Sequence, residues 1–155
     1  MASLTAYQLR PATAADGEFL YALHRESLGT AIEATWGPWD DAVQREFHRD
    51  WFRPDQVEIV LVDGEPAGML EVRPPADGVV YLSRIELAAS TRGRGIGTAL
   101  IADVVDRARS VGATAVELDV LEHNPRARSL YERVGFTLVS AAPPKLRLRL
   151  KLPQG

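Results

Sequence analysis

The sequence predicts an α/β fold with elements in the order β-α-α-β-β-β-α-β-α-β-β, built around a mixed sheet of about seven strands. Three observations carry that expectation. Tyr81–Gly97, YLSRIELAASTRGRGIG, passes from a strand pattern through a glycine-rich turn into a helical pattern. Asp63-Gly64 separates two β-type runs as a hairpin signal. Asn124, Pro125 and Gly135 bracket a helix with the residues preferred before its start, at its first position and after its end.

In chain order, Tyr7–Arg10 reads as a short strand stopped by Pro11. Thr13 or Asp16 caps a helix to about Leu28, with Phe19, Leu20, Leu23 and Ser27 on one side and Gly29 closing it. Two tryptophans, Trp36 and Trp39, then bracket a Gly-Pro turn. A second helix begins near Asp40, with Val43, Phe47 and Trp51 as its expected buried stripe, and Pro54 ends it. Val57–Val62 and Ala67–Val72 are the hairpin strands, and a turn over Pro74–Gly78 leads into the central strand, where Leu82, Ile85 and Leu87 are apolar. After the glycine-rich turn, Leu100, Ile101, Val104, Val105 and Ala108 form one helical stripe, with Gly112 at its end. Ala115–Leu121 alternates as a strand. Phe136–Ser140 and Lys145–Leu152 are the last two, paired across Ala141–Pro144. In the final strand Leu146, Leu148, Leu150 and Leu152 alternate with Lys145, Arg147, Arg149 and Lys151, a basic row expected to face solvent.

With 155 residues the chain suits one domain over 1–155 with a real core. A formal charge of −3 gives no general pull towards nucleic acid or an anionic membrane. The absence of cysteine excludes disulfides, thiolate metal sites and a cysteine nucleophile. MASLTAYQLR has no apolar run behind a basic start, and no stretch approaches ~20 apolar residues. The expectation is a cytoplasmic enzyme or binding domain without a metal; His24, His48 and His123 lack ligand-like spacing and read as surface or helix histidines.

The chemistry concentrates at Arg92–Thr98. A strand, a turn with Gly93, Gly95 and Gly97, and then a helix N-terminus expose a row of backbone N–H groups. Arg92 and Arg94 add fixed positive charge, so the local chemistry asks for a phosphate or pyrophosphate. No Lys-Ser/Thr pair follows the last glycine, which excludes a Walker A loop, and Thr98 stands where a dinucleotide fingerprint needs its third glycine.

The spacing that does fit is R-x-x-G-x-G, Arg92-Gly93-Arg94-Gly95-Ile96-Gly97. About thirty residues downstream, N-x-x-A-x-x-L-Y-x-x-x-G-F is matched by Asn124, Ala127, Leu130, Tyr131, Gly135 and Phe136. Together the two motifs resemble those of the GNAT superfamily of N-acetyltransferases, over roughly Tyr7 to Leu152. The resemblance implies helices on both sheet faces and a splayed pair of parallel strands that holds acetyl-CoA. It implies that the strand backbone at Ile85, Glu86 and Leu87 pairs with the pantetheine arm, and that Arg92, Gly93, Arg94, Gly95, Ile96, Gly97 and Thr98 hold the pyrophosphate. Asn124 would bond the arm or cap its helix, while Arg128 and Arg126 lie within reach of the adenosine phosphates or in solvent. Tyr131 would be the acid for the leaving thiolate and a further cofactor contact, or else a core tyrosine.

The family often carries a Glu or His where Tyr81 and Ser83 stand; here those two are assigned to the acceptor site. Glu33 and Glu71 are the candidate general bases, and Glu86 lies on the opposite strand face from Tyr81 and Ser83. Glu33, Trp36 and Trp39 suggest an aromatic site with a carboxylate, suited to a cationic amine, or else a loop anchored on the core. The expected function is transfer of an acetyl group from acetyl-CoA to a primary amine of a small molecule or peptide. Transfer of a longer acyl group, a non-catalytic acyl-CoA-binding module and a nucleotide-phosphate binder are the alternatives. A homodimer contact could form around Trp36, Trp39 or the last strand.

Overall fold

The computed structural model describes residues 6–154, so the first five residues of the N-terminal stretch and Gly155 lie outside it. The strands are β1 (Gln8–Pro11), β2 (Val57–Val62), β3 (Glu65–Ala76), β4 (Val79–Leu87), β5 (Ala115–Leu121), β6 (Thr137–Ala142) and β7 (Lys145–Lys151). The helices are α1 (Gly17–Trp36), α2 (Asp41–Trp51), α3 (Ile96–Ser110) and α4 (Pro125–Arg133). Their order is the expected one, and the strands form one mixed sheet in the order β1-β2-β3-β4-β5-β7-β6.

The chain divides into two compact units. One takes residues up to Glu71 together with Arg84–Ile96; the other takes Val72–Ser83 and the chain from Gly97 onward. In the first, β1, β2 and β3 pair antiparallel, with Leu9 opposite Val60 and Ile59 opposite Met69. Leu20 and Leu23 of α1 bury against Val57, Ile59 and Met69, with Phe19 and Phe52 packed on that cluster. Each such side chain contributes roughly 1.5–3 kcal/mol on leaving water.

Two expectations fail in this unit. Gly29 does not end α1, which runs on to Trp36 and stops at Gly37. A mid-helix glycine costs about 1 kcal/mol, and burial of Ala31 and Ile32 beyond it offsets that. On α2 the stripe Val43, Phe47 and Trp51 is exposed, at 43%, 52% and 59%. The inward side of α2 carries Arg45 and His48 instead. The Arg45 guanidinium lies 4.2 Å from the Tyr21 ring centre, and His48 stacks on Phe52 and donates Nε2–H to the Gly17 carbonyl at 3.0 Å. Ring stacking and hydrogen bonds therefore outweigh the apolar stripe in setting this helix's rotation.

Asp16 marks the start of α1. Its carboxylate accepts from both terminal nitrogens of Arg10 at 2.9 Å and from the Thr13 N–H at 2.8 Å. The Arg10 hydrogen bonds hold the Asp16 carboxyl well below its usual range, at about 2. A lowered folded value means that the stability this group adds is present above the usual carboxylate range and lost as pH falls towards 2. Asp16→Asn should lower the melting temperature near pH 7 and flatten the acid limb between about pH 4 and pH 2; an unchanged acid limb would contradict this assignment.

In the second unit, β4 runs parallel to β5 over Val79–Tyr81 against Ala115–Glu117. The α3 stripe Leu100, Ile101, Val104, Val105 and Ala108 is buried, as its periodicity predicts. β7 pairs antiparallel with both β5 and β6. The basic row faces solvent as expected, with Lys145 and Lys151 exposed and the Arg147 and Arg149 side chains 39% and 40% open, and the register adds ion pairs to it. Glu117 lies opposite Arg149 and Asp119 opposite Arg147. Arg149 Nε donates to Glu117 at 2.7 Å, and Arg147 grips Asp119 through Nε and Nη2 at 2.7 and 3.0 Å. The acidic partner of the row is this chain's own β5.

Candidate functional site

The turn between β4 and α3 is built as its sequence suggests. β4 ends at Leu87, Ala89–Thr91 makes a short 3-10 turn pinned by the Thr91 hydroxyl on the Ala88 carbonyl at 2.8 Å, and α3 begins at Ile96. Gly93 and Gly95 have φ of 78° and 79°, left-handed conformations that only glycine takes without strain. A Cβ built on Gly93 meets nothing within 4 Å, so the surface above that backbone is open. α3 opens at this loop, and the start of a helix is where intrahelical carbonyl partners for backbone N–H groups run out. Arg92 and Arg94 are exposed on it, with Arg94 3.7 Å from Asp63. Buried Ile96 anchors the loop. Open left-handed turns, helix-end amides and cations suit a phosphate.

The first unit also holds a small concavity of about 10 Å³, lined by α2 residues His48 and Trp51 and by the strand carboxylates Glu71 and Glu86 with Arg84. Glu86 is 3% exposed, and its Oε2 lies 2.8 Å from Nδ1 of His24 on α1. Glu71 is 7% exposed and lies 3.6 Å from Arg84 Nε. Burial pushes the His48 imidazole below its usual range, against a smaller opposing effect from its bond to Gly17, so it is neutral at pH 7. Two residues past β4, the Ala89 N–H donates to Glu26 Oε1 of α1 at 2.8 Å. α1 is thus tied to β4 on both sides of Leu87.

Several of the remaining sequence-selected residues have other local partners. Glu33 is exposed and is not among the pocket-lining residues, and Trp36 is 62% exposed. Trp39 is half-buried: its indole N–H donates to the Tyr21 hydroxyl at 3.3 Å, and Arg25 lies 5.3 Å from its ring. Ser83 is half-buried on β4. In the second unit the Tyr81 hydroxyl donates to Asp119 Oδ2 at 2.8 Å, with Arg73 and Arg147 over its ring. Burial and the adjacent carboxylate push the Tyr81 phenol up to about 12. Asn124 Oδ1 caps α4 by accepting the Ala127 N–H at 3.3 Å, and Arg128 pairs with Glu132 at 3.3 Å. Tyr131 is buried, 5.9 Å from the Phe136 ring. The His24–Glu86 contact was not legible beforehand, because 62 residues separate the partners and neither lies in a motif. Among the described residues no three His, Asp or Glu side chains cluster to hold a metal, and no helix is long and apolar enough to cross a membrane.

Comparison with known proteins agrees with this architecture. A mycothiol acetyltransferase of Beutenbergia cavernae is 39% identical over 94 residues, which is 58% of this chain and 31% of that protein. An L-2,4-diaminobutyric acid acetyltransferase of Nocardia farcinica is 32% identical over 88 residues, 54% of this chain and 46% of that protein. The chain therefore spans less than half of the length of these relatives, 31% and 46%. The structure of the PaiA N-acetyltransferase of Thermoplasma acidophilum, solved with coenzyme A, superposes with a TM-score of 0.77 at 17% identity, over 95% of this chain and 99% of that one. The profile described as acetyltransferase (GNAT) family matches residues 18–136, and the chain belongs to that family.

Proposed function

We propose that this chain transfers an acetyl group from acetyl-CoA to a primary amine of a small molecule or peptide, by direct attack and without a covalent enzyme intermediate. The observation that carries the reading is the Arg92–Thr98 loop, whose left-handed glycines stand immediately before the N-terminus of α3. Its amides and arginines hold the pyrophosphate, and the β4 backbone at Ile85, Glu86 and Leu87 pairs with the pantetheine arm. Bound acetyl-CoA supplies an activated thioester. Asn124 and Arg128 are further contacts for the cofactor.

The Leu87 N–H is the donor for the developing oxyanion. Its direction supports this. The Glu86 carbonyl lies 2.7 Å from where a Cβ of Gly68 on β3 would stand, and a trans peptide plane then aims the Leu87 N–H away from β3. Tyr131 protonates the departing thiolate, a role its place in the second motif supports. Glu71 and Glu86 give the pocket an acidic lining that suits a cationic amine, and Trp39 stands beside His24, the partner of Glu86. Glu33 and Trp36, exposed on α1, and Tyr81 and Ser83, on β4, are assigned to the acceptor by their place in the sequence alone.

Thiol release from acetyl-CoA across polyamines, amino acids including diaminobutyrate, aminoglycosides and N-terminal peptides tests this, beside calorimetric titration with coenzyme A. The expected result is micromolar cofactor binding with turnover on one class. Binding with silence throughout would favour a non-catalytic acyl-CoA-binding module, and no binding would end the reading of the loop.

A further inference from the structure

We propose that His24, oriented by buried Glu86, is the general base that takes the proton from the acceptor amine. The inference rests on the Arg92–Thr98 loop being the coenzyme A site. Glu86 Oε2 accepts from His24 Nδ1–H at 2.8 Å, and that fixes the tautomer in which Nε2 carries the lone pair. Among the described residues Nε2 makes no hydrogen bond of its own, while the side chain keeps 22% of its surface open. Glu86, at 3% exposure, is a rigid acceptor, and its charge stabilises the imidazolium formed when Nε2 takes a proton.

Position agrees with chemistry. Glu86 adjoins Leu87, and the clip from Glu26 to Ala89 holds α1 against the same end of β4. Trp39 stands 6.3 Å from the His24 ring, a wall against which an amine can sit. The other groups are less apt. Glu71 faces Arg84, which competes for its charge. His48 has its N–H committed to the Gly17 carbonyl, and among its described hydrogen bonds there is no carboxylate to stabilise an imidazolium. In the step itself the amine nitrogen bonds to the acetyl carbon, the C–S bond breaks and coenzyme A leaves as the thiolate that Tyr131 protonates; the amine proton passes to His24 Nε2, and the Nδ1 proton stays on His24, hydrogen-bonded to Glu86. The imidazolium then returns its proton to water.

Bromoacetyl-CoA tests the placement without knowledge of the acceptor. His24 Nε2 displaces bromide, forming a C–N bond to the methylene carbon, and the modified peptide is identified by mass spectrometry. We expect labelling of His24 that excess coenzyme A slows at least tenfold and that His24→Gln abolishes with coenzyme A affinity unchanged. Glu86→Gln, which keeps an oxygen for Nδ1–H, should retain labelling. Glu86→Leu should slow it about tenfold with cofactor affinity intact, which marks Glu86 as a positioning residue. On any amine that turns over, His24→Gln should lower kcat about 10²-fold and leave the KM for acetyl-CoA unchanged. Tight binding of bromoacetyl-CoA with His24 unmodified overturns the proposal. Failure of calorimetric binding instead removes the coenzyme A reading beneath it.

Discussion

Tyr131→Phe is expected to lower thiol release from acetyl-CoA about 10²-fold, with coenzyme A affinity held within about twofold. The variant deletes one hydroxyl from a buried ring packed 5.9 Å from Phe136, and phenylalanine preserves that packing. The ring contact is kept, and the expected effect of the proposed role is on the proton delivered to the departing thiolate. It should fall on kcat more than on the KM for acetyl-CoA, since the thiolate forms only as the C–S bond breaks. A chemical control follows from the same logic: an acyl donor with a more acidic leaving thiol needs less protonation, so the penalty should shrink with it. Unchanged turnover in Tyr131→Phe would return Tyr131 to the core and leave thiolate protonation to solvent.

Gly68→Val should cost about 3 kcal/mol and lower the melting temperature by about 10 °C, with Gly68→Ala falling between it and the wild type. Glycine in a strand interior ordinarily weakens it, so replacement by a larger residue would stabilise an open site. Here a Cβ would come within 2.7 Å of the Glu86 carbonyl and of Leu87 Cδ2, and 3.4 Å of Val60 Cβ. The leucine terminus can swing aside, but the carbonyl belongs to β4 and moves only with its backbone. The displaced segment carries Glu86 and Leu87, so coenzyme A affinity and His24 labelling should fall along with stability. Thermal unfolding followed by circular dichroism decides the first part; a melting temperature at or above the wild-type value would show that β4 does not approach β3 this closely.

The site was legible in proportion to how local it is. The Arg92–Gly97 loop and the Asn124 cap are contiguous in the chain, and backbone preference alone demands glycine at Gly93 and Gly95 and an oxygen-bearing side chain at Asn124. The pairing of the β7 basic row with Glu117 and Asp119 was half visible, since both strands alternate, but only register puts Arg149 opposite Glu117. The α2 stripe shows the limit of periodicity. Val43, Phe47 and Trp51 recur at helical spacing, yet Arg45 and His48 find ring and carbonyl partners in α1, and those contacts turn the stripe outward.

Sequence alone determined the element order, the glycine-rich turn before α3 and the family resemblance, because each depends on residues within a few positions of one another and on intrinsic backbone preference. Tertiary structure alone decided that α1 continues through Gly29, that Glu86 meets His24 across 62 residues, and that Gly68 is a point of close approach. Those outcomes depend on which surfaces leave water together and which buried charge finds a partner, and both are set by packing between segments remote in the chain.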